Sequence, residues 1–469
     1  MKQTKVSNNS NRQSTNLGEL VTVLRGVNYK KAMARKEPSK GLVPIVRATN
    51  IQGILDYDNL VYVPHKCVSE DQYLKEGDIV IAASSGSKTI VGKAARVEKD
   101  WEGGFGAFCF CVRPKDVESS KFISYFMQTK EYRNRVSELS AGVNINNLKA
   151  LHIEETPINI PDICEQKRIV EEIETQFTRL DAGVAALKRA QANLKRYRAA
   201  VLKAACEGKL VPTEAELAKT EGRSHETGEQ LLQRILAERR AKWEIENKKK
   251  GGKKKYVEPK GPDVSSLPKL PEGWAWANLD QLMLNVTDGD HQPPKQTETG
   301  IPFIVIGNIK NSKIDFQDTR HVSNQYYNSI DKYRKPYQGD ILYTLVGSYG
   351  IAIRINIKKE FCIQRHISIM RPHRLSPTMY LAYIMNSSMV FKQATRTATG
   401  TAQKTVPLKA LRKFFIPLPP QDEQKRITDE VERQLSVTEE LENILSVNEQ
   451  RSCNLRNAVL QNSFCIEKR

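Results

Sequence analysis

Two long stretches of the chain carry an apolar or small residue at every seventh position. The first contains no proline between Ile163 and Cys206, and the second runs from about Asp422 to Phe464. A seven-residue period over this length is typical of coiled-coil helices, whose repeating residues form one continuous seam. Two helices of equal length with unpaired apolar faces are expected to bury those faces against each other. We therefore predict an antiparallel coiled coil within the chain.

The predicted seam has the same spacing in both helices. In the first helix it comprises Ile173, Leu180, Leu187, Leu194 and Val201. In the second helix it comprises Val431, Thr438, Leu445, Ser452 and Val459. Leu435, Leu441 and Leu455 are expected to widen the second stripe. Asp162, followed by Glu165, suits a capping box at the start of the first helix.

The residues ahead of each long helix have the shorter periods of a mixed structure. Apolar, β-branched runs that follow a glycine turn predict strands at Asp78–Ala83 and Asp340–Leu345. Further strands are predicted at Ala107–Val112 and His366–Met370, and helical periods at 121–136 and 380–395. The predicted fold class is α+β, with two tandem mixed α/β domains separated by the two long helices.

The two halves of the chain repeat one another. A displacement of 258 residues places Glu165–Ile169 on the identical Glu423–Ile427. Small insertions shift the displacement to 260 for Leu148–Leu151 and to 262 for Gly77–Ile79. So many matches near one diagonal indicate a tandem duplication, a pseudo-two-fold internal repeat. The predicted boundaries are 1–160 and 273–419 for the globular domains, 161–208 and 420–469 for the helical spacers, and 209–272 for a connector.

The connector combines a short helical pattern at Gly228–Lys248 with a lysine-rich run. Six of the eight residues from Lys248 to Lys255 are lysine, and prolines follow. This composition predicts a flexible linker over Lys248–Lys269. Whether the lysine run contacts phosphates or is a solvated tether stays open.

The charge of the chain narrows the class of partner. Its 73 Lys and Arg against 54 Asp and Glu give a formal net charge of +19, which predicts a polyanion as partner. Nucleic acid is favoured over a membrane, because no run approaches eighteen apolar residues. The polar first ten residues are unlike a signal peptide, and the eight cysteines form no Cys-x-x-Cys pair. A cytoplasmic protein with reduced cysteines and no zinc site is expected.

A search for catalytic motifs yields only imitations. The stretch Gly86–Ala94 is one residue too long for a phosphate-binding loop, and Ala94 lacks the hydroxyl that binds Mg²⁺. Pro161-Asp162 with Glu165 and Lys167 imitates a nuclease motif, but these residues fall on a helix start, where acidic caps are ordinary. Neither Pro-Pro pair has the form that an amino-methyltransferase needs, and the seven histidines show no metal-ligand spacing. We predict no catalytic residue, metal or cofactor in this chain.

Two similar domains on a stiff spacer are suited to reading a split DNA site. A 44-residue helix is about 66 Å long at ~1.5 Å per residue, which reaches across at most about 19 base pairs. Because the two domains differ in detail, their half-sites are expected to differ. Candidate DNA contacts are the polar and basic loop residues beside the predicted strands: Arg47, Ser84, Ser85, Ser87, Lys88, Lys93, Asn144 and Asn146 in the first domain, and Ser348, Tyr349, Arg354, Arg365, Gln403 and Lys404 in the second.

Over nearly its whole length the chain resembles the specificity (S) subunits of Type I restriction-modification systems, the HsdS family. The resemblance rests on the duplicated domains, which correspond to that family's target-recognition domains, and on three kinds of motif. These are the helix openings Pro161–Ile169 and Pro420–Ile427, the segment Lys195–Pro212, and the Leu-Pro-Glu-Gly-Trp-Ala-Trp entry at Leu270–Trp276. The first copy lacks the Trp-x-Trp entry, so a looser N-terminal edge is expected there.

The resemblance implies a set of partners. Members of this family bind double-stranded DNA and two methyltransferase subunits, the latter through the helical regions, and restriction-translocase subunits complete the complex. It implies a non-catalytic subunit of a Type I site-specific deoxyribonuclease and adenine methyltransferase, with S-adenosylmethionine, ATP and Mg²⁺ on the partner subunits. Two alternatives stay open at this point: a stand-alone DNA-binding regulator that dimerises through its helices, and a nuclease or methyltransferase with unrecognised motifs.

Overall fold

The computed structural model describes residues 13–87, 90–140, 146–249, 251–252, 255–291, 294–310 and 313–464. The chain forms two compact units. The first consists of Met1–Arg189 and Leu445–Arg469, and the second of Ala190–Ile444. Each unit therefore contains one globular domain together with part of each long helix. No described helix is both long and apolar enough to cross a membrane.

The first unit is built on two four-stranded sheets. One is antiparallel, with the strand order Val21–Arg25, Cys109–Pro114, Ile79–Ala82, Ala94–Arg96. The other has the order Val61–Pro64, Leu42–Val46, Trp101–Phe105, Tyr73–Leu74. Two further strand pairs form separate two-stranded sheets, Gln13–Asn16 with Pro157–Ile160 and Ser84–Ser85 with Asn146–Asn147. The helices are Leu17–Leu20, Ser120–Phe126, Lys130–Leu139, Ala150–Glu154, the first part of Ile163–Cys206 and the last part of Gln421–Phe464.

The second unit repeats this plan. Its antiparallel sheet has the order Met283–Asp288, Ile367–Pro372, Ile341–Thr344, Ala352–Arg354. Its other sheet has the order Gln296–Thr297, Arg320–Val322, Ile301–Ile304, Cys362–Ile363. The strand pairs are Ala275–Asn278 with Phe415–Leu418 and Ile309–Lys310 with Lys313–Ile314. The helices are the last part of Ile163–Cys206, Glu214–Glu221, Gly228–Lys249, Leu279–Leu282, Asn324–Ser329, Thr378–Met385, Ser388–Thr397, Leu408–Leu411 and the first part of Gln421–Phe464.

The α+β class and the internal repeat are confirmed by this correspondence. In each domain the antiparallel sheet uses the equivalent strands in the same order, and one parallel pairing occurs in the second sheet. Each predicted helical stretch of the globular domains is two helices rather than one. Thr129 in the first copy and Ser387 in the second accept a hydrogen bond from a backbone N–H three residues on, and so begin a new helix.

The N-terminal edge of the first copy is paired although it lacks the tryptophan entry. Gln13–Asn16 pairs with Pro157–Ile160 just as Ala275–Asn278 pairs with Phe415–Leu418, and Leu17 is fully buried behind it. The expectation of a looser edge is therefore wrong for the described residues. Backbone hydrogen bonds and the buried leucine supply the attachment that the second copy reinforces with Trp274, whose Nε1 donates to Glu423 Oε1 at 2.9 Å.

The two long helices pack antiparallel in both units. Their bounds, Ile163–Cys206 and Gln421–Phe464, agree with the predicted ones to within one residue. In the first unit, Ile173 and Phe177 near the start of the first helix share a core with Leu460 near the end of the second. In the second unit, Val201 near the end of the first helix shares a core with Val431. The start of each helix thus meets the end of the other.

The seam consists of two positions per heptad, and the second lies four residues after the predicted one. Ile173, Val201 and Val431 are buried, and the other predicted positions are at least partly covered. The accompanying position is occupied by Phe177, Val184, Gln191, Arg198 and Ala205 in the first helix and by Leu435, Glu442, Glu449 and Arg456 in the second. The seam therefore mixes apolar and long polar side chains.

Leu441 and Leu455 do not lie at these positions. They are 42% and 54% exposed, because each follows a seam residue by three positions, on the flank away from the partner helix. Polar contacts replace them across the seam. Arg456 donates to Asp181 at 2.9 Å and lies over the Phe177 ring, 3.8 Å from its centroid. The spacing of apolar residues alone could not show that Leu441 and Leu455 lie outside the seam.

The connector includes a helix that the sequence pattern did not predict, Glu214–Glu221. Thr213 begins it with a capping box, in which its hydroxyl accepts from Glu216 N–H and its own N–H donates to the Glu216 carboxylate. Part of the predicted linker lies against the second globular domain. Lys260 O accepts from Asn278 Nδ2 at 2.7 Å, and Pro268 O accepts from Trp276 Nε1 at 3.1 Å.

Candidate nucleic-acid interface

Three strands of the first antiparallel sheet place polar loops at one common end. Val21–Arg25 ends there, Cys109–Pro114 begins there, and Ile79–Ala82 ends there, because Phe110 pairs with Arg25 and Cys109 with Ala82. The carbonyl of Phe108 accepts hydrogen bonds from Ala83 N–H at 2.8 Å and Ser84 N–H at 3.2 Å. We call this end of the sheet the first strand-end surface.

Ser84 and Ser85 lie on this surface as a short strand paired with Asn147 and Asn146. Both serines are half-buried, and Ser85 Oγ accepts from Ser87 N–H at 3.1 Å. Asn146 is only 4% exposed, and its Nδ2 donates to Ser85 O at 3.4 Å. In this structure Asn146 holds the loop that carries the serines, whereas the sequence suggested a contact with DNA.

Arg47 and Lys93 reach the same end from neighbouring strands. Gly106 N–H donates to Val46 O at 2.9 Å, which brings Arg47 beside the turn at Gly106, and Arg47 Nη2 donates to Asn59 O at 3.0 Å. Lys93 O accepts from Ala82 N–H at 2.9 Å, so this half-buried lysine lies at the end of the sheet where the strand Ile79–Ala82 ends. Two further candidates, Lys88 and Asn144, lie outside the described residues.

The second domain has an equivalent end of its sheet, the second strand-end surface. Leu345 N–H donates to His366 O at 2.8 Å, and Gly347 N–H donates to Lys404 O at 3.0 Å. These bonds bring the loop of Ser348 together with that of Gln403 and Lys404, and all three side chains are exposed. Tyr349 is partly covered, because its ring stacks on Phe391 and its hydroxyl donates to Thr395 Oγ1 at 3.3 Å.

Arg354 is not brought to this surface. It pairs with Ile341 at the opposite end of the strand Ile341–Thr344, three residues or about 10 Å away at ~3.3 Å per residue. Its charge acts instead on Tyr383: burial and the Glu432 carboxylate raise the pKa of that phenol, and Arg354 partly offsets them. The sequence showed a basic residue after a strand but not which end of the sheet the strand reaches.

A concavity of about 330 Å³ beside the second strand-end surface contains several residues that were not predicted as DNA contacts. His291, Gln364 and His366 line it together with the predicted Arg365. Tyr326 donates to Asp290 Oδ2 at 2.7 Å, and His291 Nε2 lies 2.9 Å from Asp288 Oδ2. Burial, followed by the neighbouring Arg365, lowers the pKa of His366. Most of the lining side chains are polar or charged, and such side chains can form hydrogen bonds with the edges of bases.

A basic loop follows the strand Val21–Arg25 of the first domain and was also missed. Lys30, Lys31, Arg35, Lys36 and Lys40 are at least partly exposed there. Lys and Arg on such loops suit phosphate oxygens, which carry no sequence information. The run of basic residues from Lys30 to Lys40 was readable in the sequence. The sequence did not show that this run, which begins three residues after Val27, lies close to the first strand-end surface.

The acidic residues that imitate a nuclease motif have structural roles at the start of the first long helix. Asp162 Oδ1 accepts from Glu165 N–H at 3.0 Å, and the Glu165 carboxylate accepts two hydrogen bonds from Arg168. In the described parts of the chain no three His, Cys, Asp or Glu side chains group in a way that suits a metal ion.

Comparisons with known proteins agree with this geometry. A family model described as the Type I restriction modification DNA specificity domain matches residues 9–189 and 283–447. The Type I restriction enzyme EcoKI specificity subunit of Escherichia coli strain K12 is 29% identical over 453 residues, which cover 95% of this chain and 86% of the relative. The Type I restriction enzyme StySPI specificity subunit of Salmonella potsdam is 44% identical over 192 residues, 41% of this chain and 42% of the relative.

The fold is similar to that of a solved structure described as the structural basis underlying complex assembly and conformational transition of the type I R-M system. The two chains align with a TM-score of 0.65 at 17% identity, and the alignment covers 97% of each. The family model matches both halves of the duplication, and each half includes one globular domain and the start of one long helix. The resemblance seen in the sequence is therefore confirmed, and the chain belongs to the family of Type I restriction-modification DNA specificity subunits.

Proposed function

We propose that this chain is the specificity subunit of a Type I restriction-modification complex, in which each globular domain reads one half of an asymmetric, bipartite DNA site. The observation that carries the proposal is the duplicated strand-end surface. One backbone arrangement occurs twice in a chain of this family, and the exposed side chains on the two copies differ. Two readers with a common frame and different side chains suit two different half-sites.

The net charge of +19 supports duplex DNA as the partner. Exposed Lys and Arg residues around each strand-end surface neutralise phosphates and release counterions, which provides affinity without sequence preference. Side chains that reach base edges provide the preference. The long helices then set the separation of the half-sites.

The remaining partners follow from the family. The relative in Escherichia coli is named as the specificity subunit of a restriction enzyme, which implies other subunits for the chemistry. We expect two methyltransferase subunits to dock on the helical regions and restriction-translocase subunits to join them. S-adenosylmethionine, ATP and Mg²⁺ would bind to those subunits, and this chain would contribute no catalytic residue.

The alternative of a regulator that dimerises through its helices has no support in the structure. The seam residues Ile173 and Val201, which such a dimer would use, share cores with the second helix of the same chain, and the relatives are named as specificity subunits rather than regulators.

Exchange of one domain tests the proposal. Residues 17–160 are replaced by the matching domain of a relative, and the chain is expressed with the methyltransferase subunit of its own system. Sequencing of the methylated bases in host DNA should show one half-site changed and the other intact. The reciprocal exchange of 273–416 is the control, and it should change the other half. If either exchange alters both halves together, the two domains form one composite reader and the proposal is wrong.

A further inference from the structure

One turn occupies the same place on both strand-end surfaces. Val27 forms a parallel bridge with Gly106 in the first domain, and Asp290 forms one with Gln364 in the second. A glycine, Gly26 or Gly289, immediately precedes each bridge. A Cβ atom at either position would lie 2.1 Å from a carbonyl oxygen of the backbone on the other side of the bridge. In both domains the close approach of the backbone therefore requires a glycine at this position.

The side chains on the two turns differ completely. The first turn reads Gly106-Ala107-Phe108 and the second Gln364-Arg365-His366. Phe108 is 68% exposed, although the backbone that carries it is held by two hydrogen bonds to its carbonyl. Arg365 is also exposed on a turn whose backbone is fixed on both sides. Gln364 N–H donates to Ile304 O at 3.0 Å, and His366 O accepts from Leu345 N–H.

An exposed phenylalanine on a fixed turn needs a partner surface, and its neighbours indicate which kind. Ser84 lies directly beside Phe108. Arg47 is close to the same turn and acts on Tyr29, whose pKa is raised by burial and partly lowered by that guanidinium. A serine beside the exposed ring, with an arginine near the same turn, fits a base-reading surface better than the centre of a protein contact, which is poor in serine.

We propose that Phe108 and Arg365 are specificity-determining residues that reach the bases from equivalent turns with different chemistry. This rests on the proposed function. Phe108 makes an apolar contact with base edges of one half-site, such as the methyl group of thymine. Arg365 donates two hydrogen bonds to a purine of the other half-site, the contact for which a guanidinium is best suited. The two domains thus share a turn at the same place on the sheet, and the exposed side chain on that turn differs between them.

The test uses the full chain purified with its methyltransferase subunits and a library of randomised DNA duplexes. The variants are Phe108→Ala and Arg365→Ala. Val117→Ala is the control for the first, because Val117 is exposed in the same domain but follows the far end of the strand Cys109–Pro114. Lys358→Ala is the control for the second, because it removes the same charge from an exposed residue beyond the strand Ala352–Arg354. Sequences bound by each protein are selected and read.

Each variant should relax the preferred base at one or two positions of a single half-site. Affinity for the parent's preferred site should fall about fivefold to 150-fold, as expected for a lost base contact of ~1–3 kcal/mol. Affinity for mixed-sequence DNA should change less than threefold, and the controls should behave as the parent. Phe108→Leu should retain more of the preference than Phe108→Ala, because it keeps an apolar tip.

Two results would overturn the inference. One is an unchanged set of preferred bases in both variants with affinities within twofold of the parent. The other is loss of the methyltransferase from Phe108→Ala with the preference intact, which would make Phe108 a protein contact. A parent complex that selects no sequence at all would instead contradict the proposed function. Equal thermal unfolding midpoints verify that the variants fold.

Discussion

The guanidinium of Arg371 donates two hydrogen bonds to the carboxylate of Asp340, at 2.8 and 2.7 Å, and a third to Lys335 O at 3.0 Å. The first domain contains the same arrangement. Arg113 donates to Asp78 at 2.8 and 2.7 Å and to Tyr73 O at 2.9 Å. The duplication therefore extends to individual hydrogen bonds. In both copies the arginine of the Arg-Pro strand end holds the glycine turn that starts the neighbouring strand.

Removal of the carboxylate from this pair should destabilise the second domain. Asp340 is only 3% exposed and Arg371 is largely covered, so Asp340→Ala leaves a poorly solvated guanidinium without its partner. We expect the free energy of unfolding, measured by urea denaturation, to fall by about 3–5 kcal/mol, as for other interrupted buried pairs. The control is Glu244→Ala, which removes an exposed helical pair with Arg240 and should cost less than about 0.5 kcal/mol. Equal losses would contradict the role given to the buried pair.

Two leucines four residues apart in the second long helix test the position of the seam. Leu445→Asp places a charge in the covered seam and should lower the free energy of unfolding of the isolated chain by about 2 kcal/mol or more. Leu441→Asp makes the same chemical change at a residue that is 42% exposed and should have a much smaller effect. Thermal unfolding followed by circular dichroism at 222 nm measures both. A larger loss for Leu441→Asp would place the seam on the flank that the apolar pattern suggested.

Features that depend on sequence periodicity, such as the long helices and the two domains, were predicted correctly. Features that depend on how the elements pack together were not. The heptads located both long helices, and the displacement of 258 residues located both domains, because these patterns are properties of the chain itself. The accompanying seam position was predicted only at Leu435, because its apolar residues are interrupted by Gln191, Arg198 and Glu442. Their aliphatic stems cover the seam while their polar ends meet partners such as Arg198 with Glu442, 3.7 Å apart.

The candidate DNA contacts show the same division. Ser348 and Lys404 lie in loops as predicted and meet at one surface. Ser84, Ser85, Asn146 and Arg354 were also predicted as loop residues, but they lie in short strands. The sequence could not tell that Asn146 would be buried or that Arg354 would lie at the opposite end of its sheet. Phe108 was overlooked because an apolar residue next to a strand is ordinarily core, and only the fold shows it exposed.

Protonation of one buried histidine should make stability depend on pH. His373 is 4% exposed, and its Nδ1 accepts a hydrogen bond from Leu375 N–H at 3.3 Å. Burial lowers the pKa of His373, while the Glu238 carboxylate partly opposes the effect. The unfolded chain therefore takes up the proton first, near the usual value of about 6.5, and stability falls as the pH drops below it.

His373→Asn supplies an oxygen that accepts the same N–H but takes up no proton. Urea denaturation between pH 7.5 and pH 5.5 should show a shallower decline in the free energy of unfolding for this variant than for the parent. His65→Asn, at an exposed side chain, should decline as steeply as the parent. Parallel curves for the parent and His373→Asn would show that the buried ring does not control this dependence.

DNA affinity should depend strongly on salt, because binding that neutralises phosphates releases counterions. A plot of log K against log[salt] for mixed-sequence duplex should have a negative slope, of about −0.9 for each phosphate neutralised. Replacement of both Lys30 and Lys31 by Ala in the basic loop should make the slope less negative by at most about two units while the preferred sequence stays the same. A parent slope near zero would exclude nucleic acid as the main partner.

The length of the paired helices should set the gap between the half-sites. The seam positions indicate which segments match: Ile173 shares a core with Leu460, and Val201 with Val431, so residues 184–190 correspond to 442–448. Deletion of both segments removes one heptad from each helix, keeps the seam in phase, and shortens each helix by about 10.5 Å. That length equals about three base pairs.

With its methyltransferase, the shortened chain should methylate sites whose half-sites are unchanged and whose gap is about three base pairs shorter. Its activity should fall, since three base pairs also turn one half-site by roughly 100° around the duplex, at about 10.5 base pairs per turn. The single deletion of residues 184–190 is the control, because it leaves the seam out of register and should lower the unfolding temperature. Methylation at the original gap by the doubly deleted chain would mean that the helices do not set the spacing.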